Sequence, residues 1–297
     1  MQEKVKIICG ATASGKSSRA IVEAIKNKGV IINADSQQVY RELPILTACP
    51  NDDDMKKVPH RLYGFINGND RMDVAKWCEF ARAEIQKCFS EKKVPYIVGG
   101  TGFYIKALTE GLSVIPSVPP KIREIVRREG LNAKCSDLME ILRKYDPDLA
   151  NKISPNDRQR ILRGIEVFRA TGIPLSSWHK NKKIKPVPGA EFEIDFVDFE
   201  MCELERRIKI RAEMMFDMGV VEEVKNLYTM GYDEEKSSIF KVIGVRDIKD
   251  FVDGKISLSE CMERVILLTR QYAKRQRTFF RTQILSIKEN LTKNIDI

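Results

Sequence analysis

No stretch of this chain approaches the roughly 20 consecutive apolar residues that a membrane-spanning helix needs, which excludes that class. Its seven cysteines, at 9, 49, 78, 88, 135, 202 and 261, are odd in number and never stand as C-x-x-C. That spacing supports neither a disulfide framework nor a structural zinc site, and a reducing cytoplasm is the expected location. Met1 to Lys16 holds only a short lysine-flanked apolar patch and then a glycine loop, which is not the pattern of a secretory signal. No low-complexity tract occurs, and nothing suggests a coiled coil or an interface helix, so a monomer is the expectation. What is present is ordinary for a globular chain. With 43% apolar and 31% charged residues, 297 residues fit one large α/β domain or two modest ones.

The formal net charge is +9, and residues 119–189 alone, with eight Lys, eight Arg and eight acids, carry +8 of it. A basic surface this concentrated is the electrostatic footprint of a polyanion partner, nucleic acid before membrane in a chain without lipidation signals. A solvated basic face without a partner accounts for the charge equally well. Charge alone does not choose between them.

The first third alternates strands and helices. Val5 to Cys9 is a short apolar run ending in a glycine loop, and Ala20, Ile21, Ala24 and Ile25 then recur at helical spacing. Val30 to Ile32 and Val94 to Val98 read as further buried strands, with a helix over 75–89 between them. Such alternation implies a parallel sheet flanked by helices. From Ser117-Val118-Pro119-Pro120 the texture becomes helical without a convincing strand, as far as about Thr171. In the helix expected at 158–170, Ile161, Ile165 and Phe168 share one face while Arg160 and Arg163 point away from it. Lys180 to Gly189 reads as a return linker, and Phe192 to Phe199 as a strand rejoining the sheet. The expected organisation is therefore a core of residues 1–118 and 190–297 interrupted by a basic, all-helical insertion at 119–189. Near the end, Ser257 and Glu260 form a capping box for a last long helix. Its Arg270, Lys274, Arg277 and Arg281 make a cationic stripe roughly opposite Val265, Tyr272 and Phe279.

Gly10-Ala11-Thr12-Ala13-Ser14-Gly15-Lys16-Ser17 matches G-x-x-x-x-G-K-[ST] and lies where a phosphate loop must, between a buried strand and a helix. The glycines let backbone N–H groups converge on phosphate oxygens, and the helix N-terminus adds partial positive charge. Lys16 supplies a full charge and the Ser17 hydroxyl a ligand for Mg²⁺. The fold class that follows is α/β, a P-loop NTPase-like parallel sheet. A hydrolysing ATPase usually carries an acid at the end of an apolar strand to hold Mg²⁺ and orient water. Here Val94 to Val98 ends instead in Gly99-Gly100-Thr101-Gly102. The acid follows the other strand, as Asp35, in the crevice where ligands of such sheets bind. It can serve as a general base or an outer metal ligand, or it can merely cap the following turn.

Several further segments join the loop in order: 33–40 (Asn33-Ala34-Asp35-Ser36-Gln37-Gln38-Val39-Tyr40), Val58-Pro59-His60, and 98–104 (Val98 to Tyr104). Asn156 to Arg160, Thr171 to Leu175, Gly244, and Arg270-Gln271-Tyr272-Ala273-Lys274-Arg275-Gln276 complete the set. Together they resemble the bacterial tRNA dimethylallyltransferases (tRNA isopentenyltransferases) over nearly the whole chain. The resemblance implies transfer of a dimethylallyl group from dimethylallyl diphosphate to N6 of the adenosine just 3′ of a tRNA anticodon, with Mg²⁺ as cofactor. It implies that Lys16, Thr101 and Arg211 cradle the diphosphate and that Asp35 takes the N6 proton. It also implies tRNA contacts from Asp35, Ser36, Gln37, Gln38, Thr101, Arg123, Gln159, Arg160, Ile161, Leu162 and Arg163. The segment Val242, Ile243, Gly244, Val245, Arg246 and Asp247 belongs to the same set. Arg160, Arg163 and the 270–281 stripe gain a use as phosphate contacts. His60 matches the family too, with a structural role the better reading. Ala11 stands where many members carry proline, Cys49 where lysine is common, and Val245 where tyrosine is frequent. The chain also ends without the zinc finger of eukaryotic members, in keeping with its cysteines.

Three other readings use the same residues. A small-molecule kinase would put ATP on the loop but leave the basic insertion idle. A prenyltransferase of free adenine nucleotides would not need the anticodon-loop motifs. A non-catalytic tRNA-binding protein would have no need for Lys16, Ser17, Asp35 and Thr101 together.

Overall fold

The computed structural model describes residues 3–285. The chain opens with β1 (Lys4–Gly10), α1 (Lys16–Lys26), β2 (Gly29–Asn33), α2 (Asp52–Lys57), β3 (His60–Arg61), α3 (Val74–Ser90), β4 (Val94–Gly99) and α4 (Gly102–Glu110). Then come β5 (Leu112–Ser113), α5 (Pro120–Asn132), α6 (Cys135–Tyr145), α7 (Pro147–Ala150), α8 (Arg158–Thr171), α9 (Leu175–Lys180) and β6 (Lys183–Ile184). The return consists of β7 (Glu191–Val197), α10 (Met201–Asp217), α11 (Val220–Thr229), a 3-10 turn at Ser238–Lys241, α12 (Val245–Val252) and α13 (Leu258–Phe280).

Five of the strands form one parallel sheet in the order β3-β2-β4-β1-β7. Gly29-Val30-Ile31-Ile32-Asn33 is buried at every position, as a central parallel strand covered on both faces must be. β7 lies at an edge and is half-buried, which is why its Glu191, Glu193 and Asp195 are tolerated. Lys4 pairs with both glutamates and Arg19 with Asp195. The four main strands fall where the apolar runs place them. β3 does not announce itself in sequence, because two residues are too few to show a period.

The chain divides into two compact units at Thr109/Glu110 and Lys185/Pro186, so Glu110–Lys185 is a unit of its own. Its core is Val126 of α5, Leu138 and Leu142 of α6, and Ile161 and Ile165 of α8. It is not all-helical as expected: β5 and β6 pair antiparallel, Leu112 with Ile184 and Ser113 with Lys183. That short ladder joins the ends of the segment, and so the boundaries lie at 110 and 185 in place of 119 and 189. The unit carries +7 of the chain's +9. Residues 1–2 and 286–297 of the expected core lie outside the described residues.

In the first unit a second apolar cluster joins Val39, Leu43 and Leu46 to Val224 of α11, Val245 and Ile248 of α12, and Val265 of α13. It holds the loop after β2 against the C-terminal helices. The last of these starts at the expected cap, with the Ser257 hydroxyl accepting from the Glu260 N–H at 3.2 Å.

Candidate active site

The loop after β1 curls because Ala13 and Gly15 both take left-handed backbone angles, with φ of 62° and 78°. Gly10 has no room for a side chain, since a Cβ there would meet the Val197 carbonyl at 2.3 Å. Lys16 opens α1 almost fully buried, its Nζ donating to the Ala11 carbonyl at 3.1 Å. Burial pulls the Lys16 ammonium down to about 8; Asp35 works against that shift and Arg211 adds to it. Ser14 Oγ is buried and makes no hydrogen bond.

Arg211, on α10, donates to the Thr12 hydroxyl at 3.0 Å and to the Thr47 carbonyl at 3.4 Å. Burial lowers its pKa too, against the pull of Asp35 and Cys49, but an arginine stays charged. One turn earlier, Arg207 is held by Glu203 at 2.6 Å and by the Phe199 ring, 4.1 Å from its guanidinium carbon. Its Nη1 comes within 3.4 Å of where a Gly15 Cβ would lie. A third cation therefore flanks the loop. In sequence only its i, i+4 spacing from Arg211 marks the shared face.

Asp35 stands just past the carboxyl end of β2 and is 8% exposed. The buried Asn33 builds its turn, accepting from the Asp35 N–H at 2.8 Å and donating to the Asp35 and Leu62 carbonyls. Trp77 donates to the Asn33 carbonyl at 2.9 Å and so braces the same turn. One Asp35 carboxylate oxygen accepts from the Gln37 N–H at 3.0 Å. The Thr101 hydroxyl accepts from the Ser36 N–H at 2.9 Å and donates to Ser36 Oγ at 3.2 Å, tying the end of β4 to the same turn.

These parts surround one pocket. Thr12, Lys16, Ser17, Asp35 and Arg211 are among its polar lining. Leu46, Ile208, Ala212, Met215, Ile243 and Val265 make its apolar lining. Tyr272, Thr269, Gln37, Gln38, Thr47 and Ala48 complete it. The Leu46–Ala48 wall is set by Glu223 of α11, whose carboxylate accepts the Ile45 and Leu46 N–H groups at 2.6 and 2.8 Å. That anchor was invisible in sequence, where Glu223 is one acid among several on a helix.

The residues expected to meet tRNA divide by environment. Gln37 Oε1 accepts the Ile243 N–H at 3.2 Å, so segments 35–38 and 242–247 do come together. Gln38 gives its amide to the Thr47 and Ala48 carbonyls at 2.9 and 2.8 Å. Val242 and Val245 are buried in the core cluster, Gly244 takes φ 93° at the start of α12, Asp247 is partly buried and Arg246 is exposed. In the second unit Ile161 is core and Leu162 packs against it, while Gln159 and Arg160 are exposed. Arg160 pairs with the capping Asp157 at 3.2 Å. Arg123 and Arg127 of α5 and Arg163 of α8 gather round Glu166, nearly buried, at 3.9, 3.2 and 3.7 Å.

The expected cationic stripe on α13 is not one solvated face. Arg277 is buried and donates to Asp198 at 2.7 Å, and Arg281 reaches the same carboxylate at 2.6 Å. Burial pushes the Asp198 carboxyl up, but the two arginines outweigh it and hold it below the usual range. Arg270 pairs with Glu205 at 3.6 Å. Val265 and Tyr272 do face inward, toward the pocket.

A glycine-rich turn between a parallel strand and a helix, with a buried lysine at its end, makes this a P-loop NTPase-like α/β protein. Among such proteins the chain belongs to the IPP transferase family, whose pattern matches residues 38–283. It is 40% identical over 278 residues to the tRNA dimethylallyltransferase of Beijerinckia indica, covering 94% of this chain and 92% of that one. It is similar to the crystal structure of the full-length tRNA isopentenylpyrophosphate transferase of Bacillus halodurans (29% identity, TM-score 0.65, 95% and 88% of the two chains). It is similar also to a eukaryotic dimethylallyltransferase acting on tRNA (27% identity, TM-score 0.78, 94% and 70%). No helix among the described residues is long and apolar enough to cross a membrane.

Proposed function

We propose that this chain transfers the dimethylallyl group of dimethylallyl diphosphate to N6 of the adenosine 3′ to the anticodon in tRNA. The observation that carries the reading is one pocket lined by Lys16, Ser17, Arg211 and Asp35 and by an apolar wall of Ile208, Ala212 and Met215. A diphosphate suits the cations, a five-carbon chain the wall, and an amine that must lose a proton the carboxylate.

In the reaction the bond from the allylic carbon to the diphosphate oxygen breaks and a bond from that carbon to N6 forms. Charge grows on the leaving diphosphate, where the loop N–H groups, Lys16 and Arg211 stabilise it. Asp35 accepts the N6 proton, so the product leaves as a neutral secondary amine. Thr101, through Ser36, fixes the turn that carries Asp35. No three acidic, histidine or cysteine side chains converge on a metal position among the described residues. The donor set fits Mg²⁺ held by the Ser17 hydroxyl, phosphate oxygens and water, where it would neutralise the leaving group.

The adenosine must turn out of its stack to reach the pocket, as bases modified within folded RNA do. Ser36, Gln37, Ile243 and Arg246 supply its nearer contacts. The arginines of the basic unit, Arg123, Arg160 and Arg163, supply phosphate contacts. Every residue in this scheme belongs to one chain, so a monomer suffices, and the cytoplasm is where its substrate is made.

The test is transfer of labelled dimethylallyl from its diphosphate to an anticodon stem-loop, beside reactions with AMP and with ATP alone. Label in the stem-loop, lost when the target adenosine becomes guanosine, supports substrate, reaction and position together. Turnover of ATP or labelling of AMP without the stem-loop product would overturn the reading.

A further inference from the structure

Val265, Thr269 and Tyr272 of α13 line the pocket at i, i+4 and i+7, and the next residue on that stripe is Gln276. It is 4% exposed, and its amide is used in both directions. Oε1 accepts the Thr12 N–H at 2.8 Å, and Nε2 donates to the Gly100 carbonyl at 2.9 Å. Only one orientation of the amide satisfies both partners, because a donor must face the carbonyl and an acceptor the N–H. The fit is close on the strand side as well: a Cβ on Gly100 would sit 2.2 Å from Nε2.

The two partners belong to opposite halves of the site. Thr12 is the third residue of the phosphate loop, and its hydroxyl is the one held by Arg211. Gly100 precedes Thr101, whose hydroxyl holds Ser36 beside Asp35. The Tyr272 hydroxyl lies against the Thr101, Gln37 and Gln276 side chains, one turn nearer the pocket. A single buried amide thus links the loop that would hold the diphosphate to the turn that would present the base.

We propose that Gln276 is a positioning residue that sets the curl of the phosphate loop against the Gly100–Thr101 turn. The donor carbon and Asp35 are thereby held at the separation that the transfer needs. The proposal rests on the function proposed above for its kinetic consequence, but not for its effect on the loop. With Gln276 removed, the loop can relax away from Gly100, while Ser36 and Gln37 keep their own bonds to Thr101, Asp35 and Ile243. Affinity for diphosphate and turnover at saturation therefore fall together, and stem-loop affinity does not.

Three variants test this. Gln276→Met keeps length and burial but removes both hydrogen bonds; Gln276→Asn keeps the amide on a stem one methylene too short to reach both partners. Gln276→Glu keeps the acceptor for Thr12 and sets a carboxylate against the Gly100 carbonyl until it is protonated. Thermal melting selects the variants that fold at the assay temperature. For each, inorganic pyrophosphate binding by calorimetry, stem-loop affinity and kcat are measured. The expected result is at least a tenfold loss of pyrophosphate affinity and of kcat in Gln276→Met and Gln276→Asn, with stem-loop affinity within twofold of the parent. In Gln276→Glu, activity relative to the parent should climb as pH falls from 8 to 6, because the protonated carboxyl can again donate to Gly100. A folded Gln276→Met or Gln276→Asn with parental pyrophosphate affinity, or a flat pH ratio in Gln276→Glu, would overturn the proposal. If the parent itself transfers no dimethylallyl group, the proposed function fails, and pyrophosphate affinity alone still decides the role of Gln276.

Discussion

Arg211 reaches across from α10 to the Thr12 hydroxyl at 3.0 Å, and its other terminal nitrogen lies 3.4 Å from the Thr47 carbonyl. One guanidinium thereby bridges the phosphate loop and the opposite wall of the pocket. A lysine has one nitrogen where arginine presents a planar fork, so it cannot hold both partners with the same geometry. Arg211→Lys should raise KM for dimethylallyl diphosphate at least tenfold and leave stem-loop affinity within twofold. Steady-state kinetics with each substrate varied in turn will show whether the loss is confined to the donor.

Lys16 gives a pH dependence whose sign is fixed by its burial. With the folded pKa at about 8, the ammonium is present below pH 8 and is lost as pH rises through it. Pyrophosphate affinity should therefore fall across pH 8, with Lys16→Met as the baseline that removes the ligand's own titration. The same group makes the unliganded fold gain stability between pH 8 and its unfolded value of 10.5, since there the unfolded chain binds the extra proton. Calorimetric affinity that follows the Lys16→Met curve through this range would return Lys16 to a structural role.

Asp35 is positioned twice over, by Asn33 through the backbone and by the Gln37 N–H through its carboxylate. Asn can replace it and still accept from Gln37, so the turn should survive. What is lost is the proton acceptor, and general-base contributions run to about 10²–10⁴ in rate. Asp35→Asn is expected to lower kcat by that order and to cost donor and stem-loop binding far less. An unchanged kcat would mean that the proton leaves by another route.

Ala212 and Ile208 flank Arg211 on the same face of α10 and form part of the apolar lining of the pocket. Ala212→Leu adds three carbons where the five-carbon chain would lie. It should raise KM for dimethylallyl diphosphate more than tenfold and leave inorganic pyrophosphate affinity within threefold, because pyrophosphate brings no hydrocarbon chain for the larger side chain to displace. Equal losses for both ligands would place the prenyl chain elsewhere.

The parts of this fold that follow a period were legible in sequence. Val5 to Cys9 and Val30 to Ile32 are strands because continuous apolar runs between turn residues fit a doubly covered sheet. The phosphate loop was legible because its chemistry demands fixed residues at fixed spacing. The supports of the site were not. Glu223 and Gln276 act through partners far away in the chain, as Glu166 does within the second unit through Arg127, and a helix period shows only which face is apolar. The stripe of Arg270, Lys274, Arg277 and Arg281 misled for the same reason, because Asp198, far off in sequence, draws Arg277 inward. The edges of the second unit moved to 110 and 185 because a two-residue ladder leaves no pattern to read.

Glu166 offers the test of how the basic unit meets RNA. It is nearly buried and shared by Arg127 at 3.2 Å, Arg163 at 3.7 Å and Arg123 at 3.9 Å, so one negative charge anchors three positive ones. The carboxylate both orients these side chains and competes with phosphate for them. Glu166→Gln removes the competitor and keeps the volume. At low salt the variant should bind any single-stranded RNA more tightly, and its affinity should fall more steeply with salt. Each newly available cation adds about 0.7 to the slope of log K against log salt. Discrimination between the anticodon stem-loop and an unrelated RNA should shrink, since the arginines no longer share one fixed arrangement. Arg123→Ala and Arg163→Ala should act in the opposite direction, flattening the slope by a similar amount each. Binding isotherms for both RNAs between about 50 and 300 mM salt separate the outcomes. An unaltered slope in a folded Glu166→Gln protein would mean that the three arginines serve the packing of α5 on α8 and not RNA.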